Sequence, residues 1–215
     1  MMEEVSVVVR WGHLLLGISW IGMLYYFNFV QGGFFKSNLV DERQRRKFGF
    51  SGLAPSTLRW FRWVTGFILV TAIYLLWKSN TLFNGYIFFS VLMSICMLLN
   101  VFVFIWPAQL IGLGLKKGNR IQAAEKAIIA ARTNNLFCLP ICYCILSSLF
   151  NAYSPEWILT DFNANDFSFF LAFSVVVALE LNIIFGQQIM KASVQAMAQS
   201  SVALTSVLFI SLTYL

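Results

Sequence analysis

Charged residues are scarce in this chain of 215 residues, in which Asp, Glu, Lys and Arg together make up 11%. Soluble domains carry about 25%. Hydrophobic residues reach 59%, and they fall in runs long enough to cross a ~30 Å hydrocarbon core. The shortage of charge excludes an ordinary soluble domain and indicates an integral membrane protein whose first partner is the lipid bilayer. The net charge of +6 is spread over short loops rather than one continuous face, so we expect no nucleic-acid partner.

Metal-binding and nucleotide-binding motifs are also missing from the sequence. The chain has a single histidine, His13, and four cysteines that all fall inside apolar runs (Cys96, Cys138, Cys142 and Cys144). Their spacing matches neither a zinc site nor C-x-x-C-H, the attachment motif of covalent c-type haem. One histidine also excludes a bis-histidine haem within one chain. We read the cysteines as small buried thiols in helices.

The apolar runs predict an all-α integral membrane bundle of about six transmembrane helices, with residues 1–215 forming a single helical transmembrane domain. The last span is the weakest, because residues 195–201 are polar and small. The alanine-rich segment 121–131 is expected to be a short interfacial helix or an extension of the fourth span. The predicted spans are 5–32, 57–78, 84–107, 134–153, 167–190 and 195–215.

The basic residues predict the orientation of these spans. Thirteen of the fifteen lysines and arginines fall on one side of the predicted bundle, in segments 36–62 and 110–132 and at Lys191. Cytoplasmic loops are enriched in Lys and Arg, so both termini are expected outside, or in the periplasm of a bacterium. The loop 154–166 on the opposite side is acidic. We therefore expect a multi-pass protein of the bacterial inner membrane.

His13 is the first candidate site residue. It lies within the first span, and an imidazole inside lipid is costly unless it is paired. Helical spacing places Gly17 and Trp20 on its face, and Gly17 leaves space for a flat ligand or a close helix. Three interpretations stay open: an axial haem ligand, a proton donor or acceptor, and a hydrogen-bonded core histidine. A ligand role requires that the other ring nitrogen be held by a hydrogen-bond acceptor.

Glu180 is the second candidate, since a carboxylate deep in a span costs ~2.5 kcal/mol or more unless it is neutral or partnered. It should therefore face the bundle interior. Asn182 and Asn100 are further polar residues inside the spans, deeper toward the cytoplasm. The functional interpretations are a proton relay, a neighbour of a cofactor propionate, or a substrate contact. The alternative is a protonated carboxyl that is hydrogen-bonded to a neighbouring helix.

The first span resembles the membrane domain of the cytochrome-linked urate oxidases, also called urate hydroxylases. The resemblance begins with WGHLLLGISWIGMLYYFNFVQ and touches at least four spans in the expected order. Further similar segments are WFRW, NVFVFIWPAQ, RTNNLFCLP and ALELN, at residues 60–63, 100–109, 132–140 and 178–182. The first-span pattern is also similar, more weakly, to a small family of four-helix, haem-binding membrane protoporphyrinogen oxidases.

This resemblance implies a membrane oxidoreductase that hydroxylates urate and passes electrons to a periplasmic c-type cytochrome. The chain departs from that pattern, because it carries Thr133 where long members have a histidine, has fewer spans, and is expected to be a short form without the cytochrome domain. Only His13 corresponds to a family histidine.

The leading hypothesis is a haem-associated oxidoreductase that works with a separate c-type cytochrome. His13 would bind the metal of a haem b beside Trp20, with Glu180 and Asn182 as catalytic polar groups. Arg59 and Arg62 would be anion contacts or, more simply, interfacial anchors. The alternative is a non-enzymatic membrane scaffold subunit or, less favoured, a small-solute transporter. Whether the chain is an enzyme, which substrate it takes and whether it forms a homo-oligomer are left open.

Overall fold

The structure, a computed structural model, describes residues 2–31, 41, 43, 53–78, 84–112, 114–151, 167–185 and 194–213. The described segments are helical apart from short turns, and they contain no strand. The all-α prediction is therefore confirmed. The chain divides into two compact units, Met1–Asn80 and Thr81–Leu215, and each is described by itself.

The first unit contains two long helices. Helix α1 spans Met2–Tyr25 and continues as a π-helical segment, π1, over Tyr26–Gln31, while helix α2 spans Leu53–Lys78. The two helices pack against each other through aromatic contacts, among which the ring of Phe61 stacks on Trp20 at a centroid distance of 6.0 Å. Their outward faces carry many exposed aliphatic and aromatic side chains, as expected of helices that meet lipid.

The second unit is built around α5, the longest helix, which spans Arg120–Asn151. It packs against α3, the π-helical segment π2, α4 and α7, and a smaller contact joins it to α6. Phe89, Met93 and Phe137 are fully enclosed between these helices. The other elements of the unit are α3 (Gly85–Leu99), π2 (Asn100–Ile105), α4 (Trp106–Gly112), α6 (Phe167–Phe185) and α7 (Val194–Thr213).

Four described helical stretches are long and apolar enough to cross a membrane: Glu4–Gln31, Arg59–Lys78, Gly85–Gly112 and Arg120–Phe150. They correspond to the first four predicted spans. The fifth and sixth predicted spans are present as shorter apolar helices, over Phe169–Phe185 and Ala196–Ile210. The basic loop around residues 36–47 lies outside the described residues apart from Asp41 and Arg43, and so do the acidic loop 154–166 and Lys191. The predicted orientation and the single domain therefore stay predictions.

Two helix boundaries differ from the sequence prediction. The third span does not end at Trp106 and Pro107, because the helical path continues to Gly112. The π-helical segment ends just before Trp106, and Pro107 is the second residue of α4. The alanine-rich segment after Arg120 is the N-terminal part of α5, which confirms the predicted extension of the fourth span.

Pro140 lies inside α5 without breaking it. Proline has no N–H, so the carbonyl of Leu136 loses the donor it would normally have four residues later. The hydroxyl of Ser201, on α7, donates to that carbonyl at 2.8 Å. Because both residues are almost fully buried, this bond replaces the missing helical one and ties α7 to α5.

Candidate functional site

The first candidate site lies between α1 and α2, where His13 meets Thr71. The Nδ1 atom of His13 and the Oγ1 atom of Thr71 are 2.8 Å apart. Both side chains are half-buried. The contact is flanked along the helix pair by a longer approach between Ser6 and Tyr74, at 3.4 Å, and by the stacked rings of Trp20 and Phe61. The histidine is therefore held inside the interface of the first unit.

The hydroxyl of Thr71 determines which nitrogen of His13 carries the proton. Its single hydrogen is directed at the carbonyls of Phe67 and Ile68, each 2.9 Å from Oγ1, and a carbonyl can only accept. From these contacts we assign Oγ1 as the acceptor and Nδ1–H of His13 as the donor. The lone pair of a neutral His13 is then on Nε2, which has no hydrogen-bond partner among the described residues.

A stripe on α1 extends from His13 through Gly17 to Trp20, since positions four and three residues apart share a helix face. A Cβ atom at Gly17 would have no neighbour within 4 Å in the described structure, so the helix surface there is open. Trp20 is 6% exposed, and its indole N–H has no hydrogen-bond partner among the described residues. The stripe thus offers a lone pair, a bare surface and an unused donor over about 10 Å of helix.

These side chains would suit a haem held by His13. A metal-bound histidine usually donates its second ring N–H to an acceptor, and Thr71 provides one. The open surface at Gly17 suits a flat macrocycle, and the Trp20 N–H suits one of its polar substituents. Among the described residues no group of three or more His, Cys, Asp or Glu side chains could hold a metal ion. His13 belongs to no such group, and its role as a metal ligand stays a prediction.

The second candidate site lies in the second unit, where three helices each contribute one polar side chain. The Nδ2 atom of Asn100, at the start of π2, donates to Oδ1 of Asn134 on α5 at 2.9 Å and to Oε2 of Glu180 on α6 at 3.1 Å. Asn134 in turn donates from Nδ2 to the carbonyl of Met97 at 3.2 Å. Asn100 and Asn134 are fully buried, and Glu180 is half-buried.

Asn182 does not join this network. It lies two residues after Glu180, about 200° around the helix, so the two side chains project from different faces of α6. Its Nδ2 atom is buried and has no hydrogen-bond partner among the described residues. The side-chain partner of Glu180 is Asn100, and the catalytic role expected of Glu180 and Asn182 stays a prediction.

The predicted site residues therefore separate into two groups. His13 and Trp20 belong to the first unit, and Glu180 and Asn182 belong to the second. Sequence reasoning missed Thr71 as the acceptor for His13, because a threonine in an apolar helix usually bonds only to its own backbone. The signal for Asn100 and Asn134 was present, since both are amides within apolar runs, but nothing in the sequence paired them with Glu180.

Comparison with known proteins adds no relative: no protein-family model, no curated protein and no solved structure matches the chain.

Proposed function

We propose that this chain is a haem-associated oxidoreductase of the urate hydroxylase type in the bacterial inner membrane, with His13 as the metal ligand of a b-type haem and a separate periplasmic c-type cytochrome as electron acceptor. The observation that carries the proposal is the bond from His13 Nδ1 to Thr71, which leaves the Nε2 lone pair available. The sequence resemblance in the first span supports the same assignment.

Each residue of the α1 stripe has a part in this proposal. Thr71 fixes the orientation and the tautomer of the imidazole, so that Nε2 does not have to be deprotonated before it binds a metal. Gly17 keeps the helix surface flat, and Trp20 offers a buried N–H to an acceptor on the ligand. A bound haem would supply one-electron transfer. Urate as substrate and Glu180 and Asn182 as catalytic groups belong to this proposal through the family resemblance.

A reduced-minus-oxidised visible spectrum of the detergent-purified full chain tests haem ligation. We expect a b-type band in the wild type and its loss in His13→Ala. Thr71→Val should lower haem affinity roughly 10- to 100-fold, the usual effect of removing the second hydrogen bond of a ligating histidine. Thr71→Ser, which keeps the hydroxyl, should restore most of that affinity.

Thr65→Val is the matched control, because Thr65 lies on the same helix and its hydroxyl donates at 2.7 Å to the carbonyl of Phe61. The structure gives no bond from that hydroxyl to His13, so this variant should keep its haem. A folded, haem-supplemented wild type without a chromophore would contradict the proposal. If haem is present, urate oxidation with added cytochrome c tests the substrate.

A membrane scaffold is the second candidate function. The same contact between His13 and Thr71 favours it, because an interhelical hydrogen bond is also how a core histidine is satisfied. In that case the wild type would show no visible absorbance band. His13→Ala would weaken the packing of α1 on α2 and would not change the spectrum.

A further inference from the structure

The hydrogen bonds that join Asn134, Asn100 and Glu180 have a fixed direction. The carbonyl of Met97 can only accept, so the side chain of Asn134 must turn its Nδ2 atom toward it. Asn134 then presents Oδ1 to Asn100, which must donate to it from its own Nδ2 atom. That nitrogen has a second hydrogen, which is directed at Oε2 of Glu180. A backbone carbonyl therefore sets the orientation of both amides.

Because the hydrogen bonds run in this direction, the two oxygens of Glu180 are not equivalent. Oε2 accepts from Asn100, so a proton on the carboxyl group is better placed on Oε1, which receives no bond from that amide. A proton can then join or leave Oε1 without reversing any other bond in the chain of amides. Glu180 is half-buried, whereas Asn100 and Asn134 are fully buried. The carboxyl group is thus the end of the network that is accessible to exchange.

The helices that pack against α6 leave Glu180 without a counter-ion. Among the described residues it forms no ion pair, and residues 194–213 of α7 contain no titratable side chain. On α3, the thiol of Cys96 interacts electrostatically with it. On α5, Arg132 lies two residues before Asn134, about 200° around the helix. A carboxylate without a counter-ion among apolar helices is costly, so the site favours neutralisation by a single positive charge.

Two further features indicate a site rather than a structural clamp. Asn100 Oδ1 is buried and accepts no hydrogen bond within the described part of the chain, which leaves an acceptor oxygen beside the carboxyl group. Asn100 is also the first residue of the π-helical segment, and such segments occur frequently at functional sites.

We propose that Glu180 is a proton-exchange site in the second unit, at which Oε1 takes up and releases a proton while Asn100, held by Asn134, positions Oε2. This proposal goes beyond haem binding at His13 and does not depend on it, because its residues lie in a different unit.

Infrared difference spectroscopy of the purified full chain tests the proposal, because a protonated carboxyl group has a C=O stretch apart from the carboxylate bands. We expect a protonated-carboxyl band in the wild type that titrates with pH, shifts in D₂O and is absent in Glu180→Gln. Glu125→Gln is the matched control, since Glu125 is a water-exposed carboxylate on α5, and this variant should keep the band.

Asn100→Leu tests the positioning role of the amide. Removal of a donor to the carboxylate disfavours the charged form, so the protonated band should persist to higher pH than in the wild type. Asn100→Gln, which keeps a donor, should return toward the wild-type midpoint. Circular dichroism checks the fold of each variant. If Glu180→Gln does not fold, a shift of the protonated-carboxyl band in Glu180→Asp assigns that band to the side chain at position 180.

Three results would overturn the proposal. A band that neither titrates nor shifts in D₂O would mean a permanently trapped structural proton. A band that Glu180→Gln leaves in place would belong to another carboxyl group. A band that disappears on addition of NaCl at constant pH would indicate an alkali-ion site instead. None of these outcomes depends on haem, so the proposed function can fail while this inference stands.

Discussion

Replacing Ser201 with alanine is expected to loosen the second unit, because it leaves a carbonyl that has no other donor. In the wild type the Ser201 hydroxyl donates to Leu136 O at 2.8 Å, in the place of the N–H that Pro140 lacks. Interhelical hydrogen bonds in membrane proteins contribute about 0.6 kcal/mol on average and up to about 1.7. A buried carbonyl left unpaired costs about 1–3 kcal/mol. We therefore expect Ser201→Ala to cost about 1–2 kcal/mol.

Pro140→Ala gives this prediction its discriminating test. An alanine at position 140 regains an N–H that can donate to Leu136 O within α5, so that Ser201 is no longer needed. Ser201→Ala should therefore cost close to nothing in the Pro140→Ala background. The difference between the two backgrounds, about 1 kcal/mol or more, is the coupling energy of the pair.

Unfolding of the purified protein in mixed micelles, followed by circular dichroism at increasing denaturing detergent, measures both costs. Ser206→Ala is the control, since the Ser206 hydroxyl donates at 3.0 Å to the carbonyl of Val202 within α7 and is exposed. The reasoning is refuted if Ser201→Ala costs the same with proline and with alanine at position 140.

Two further predictions concern the α1 stripe. Gly17→Leu should abolish haem binding, because the new side chain would fill the open surface, yet it should leave the fold as stable or up to ~1 kcal/mol more stable, since glycine is a poor helix residue. Gly22 lies on the opposite face of α1 and has equally open surroundings, so Gly22→Leu should keep its haem. Absorbance and a protein assay measure the haem content of both variants. Equal haem content in the two variants would contradict the assignment of the haem site to the α1 stripe. Trp20→Phe should weaken haem binding while the haem-free protein is unchanged or more stable, because it removes a buried N–H that has no partner among the described residues; haem titration checks the first effect and detergent unfolding the second.

The helices could be predicted from the sequence because apolar runs of this length have few alternatives in water or lipid. The exact ends of the helices could not be predicted, since they depend on the local backbone register. Pro107 was expected to end the third span, but the helical path continues through it to Gly112. The pattern of polar residues inside apolar runs was equally visible, and it correctly marked His13 and Glu180 as residues that need partners.

The partners themselves could not be predicted, because they depend on how one helix is rotated against another. Thr71 lies 58 positions from His13 and Asn100 lies 80 positions from Glu180, distances at which sequence spacing carries no information. Asn182, two residues after Glu180, projects from a different side of α6, so closeness in sequence does not identify the partner of Glu180 either.

The positions of the unpaired polar atoms bear on the choice between a scaffold, a transporter and a redox protein. A transporter typically exposes broken helices at its binding site. Within the described residues, the Leu136 carbonyl, which lacks a helical donor because of Pro140, accepts a hydrogen bond from Ser201. Helix α5 stays continuous from Arg120 to Asn151.

The unsatisfied buried side-chain atoms in the described part of the chain belong to Trp20, Asn100, Asn135 and Asn182. Two of these residues were predicted site residues, and Asn100 holds Glu180. Unpaired polar groups destabilise a buried interface, so a scaffold gains nothing from them, and apolar side chains of the same size would pack better. A protein that binds a cofactor or a proton does gain, because the ligand supplies the missing partner. The unpaired atoms of Trp20 and Asn100 are therefore the places at which the two proposals above expect a ligand or a proton to bind.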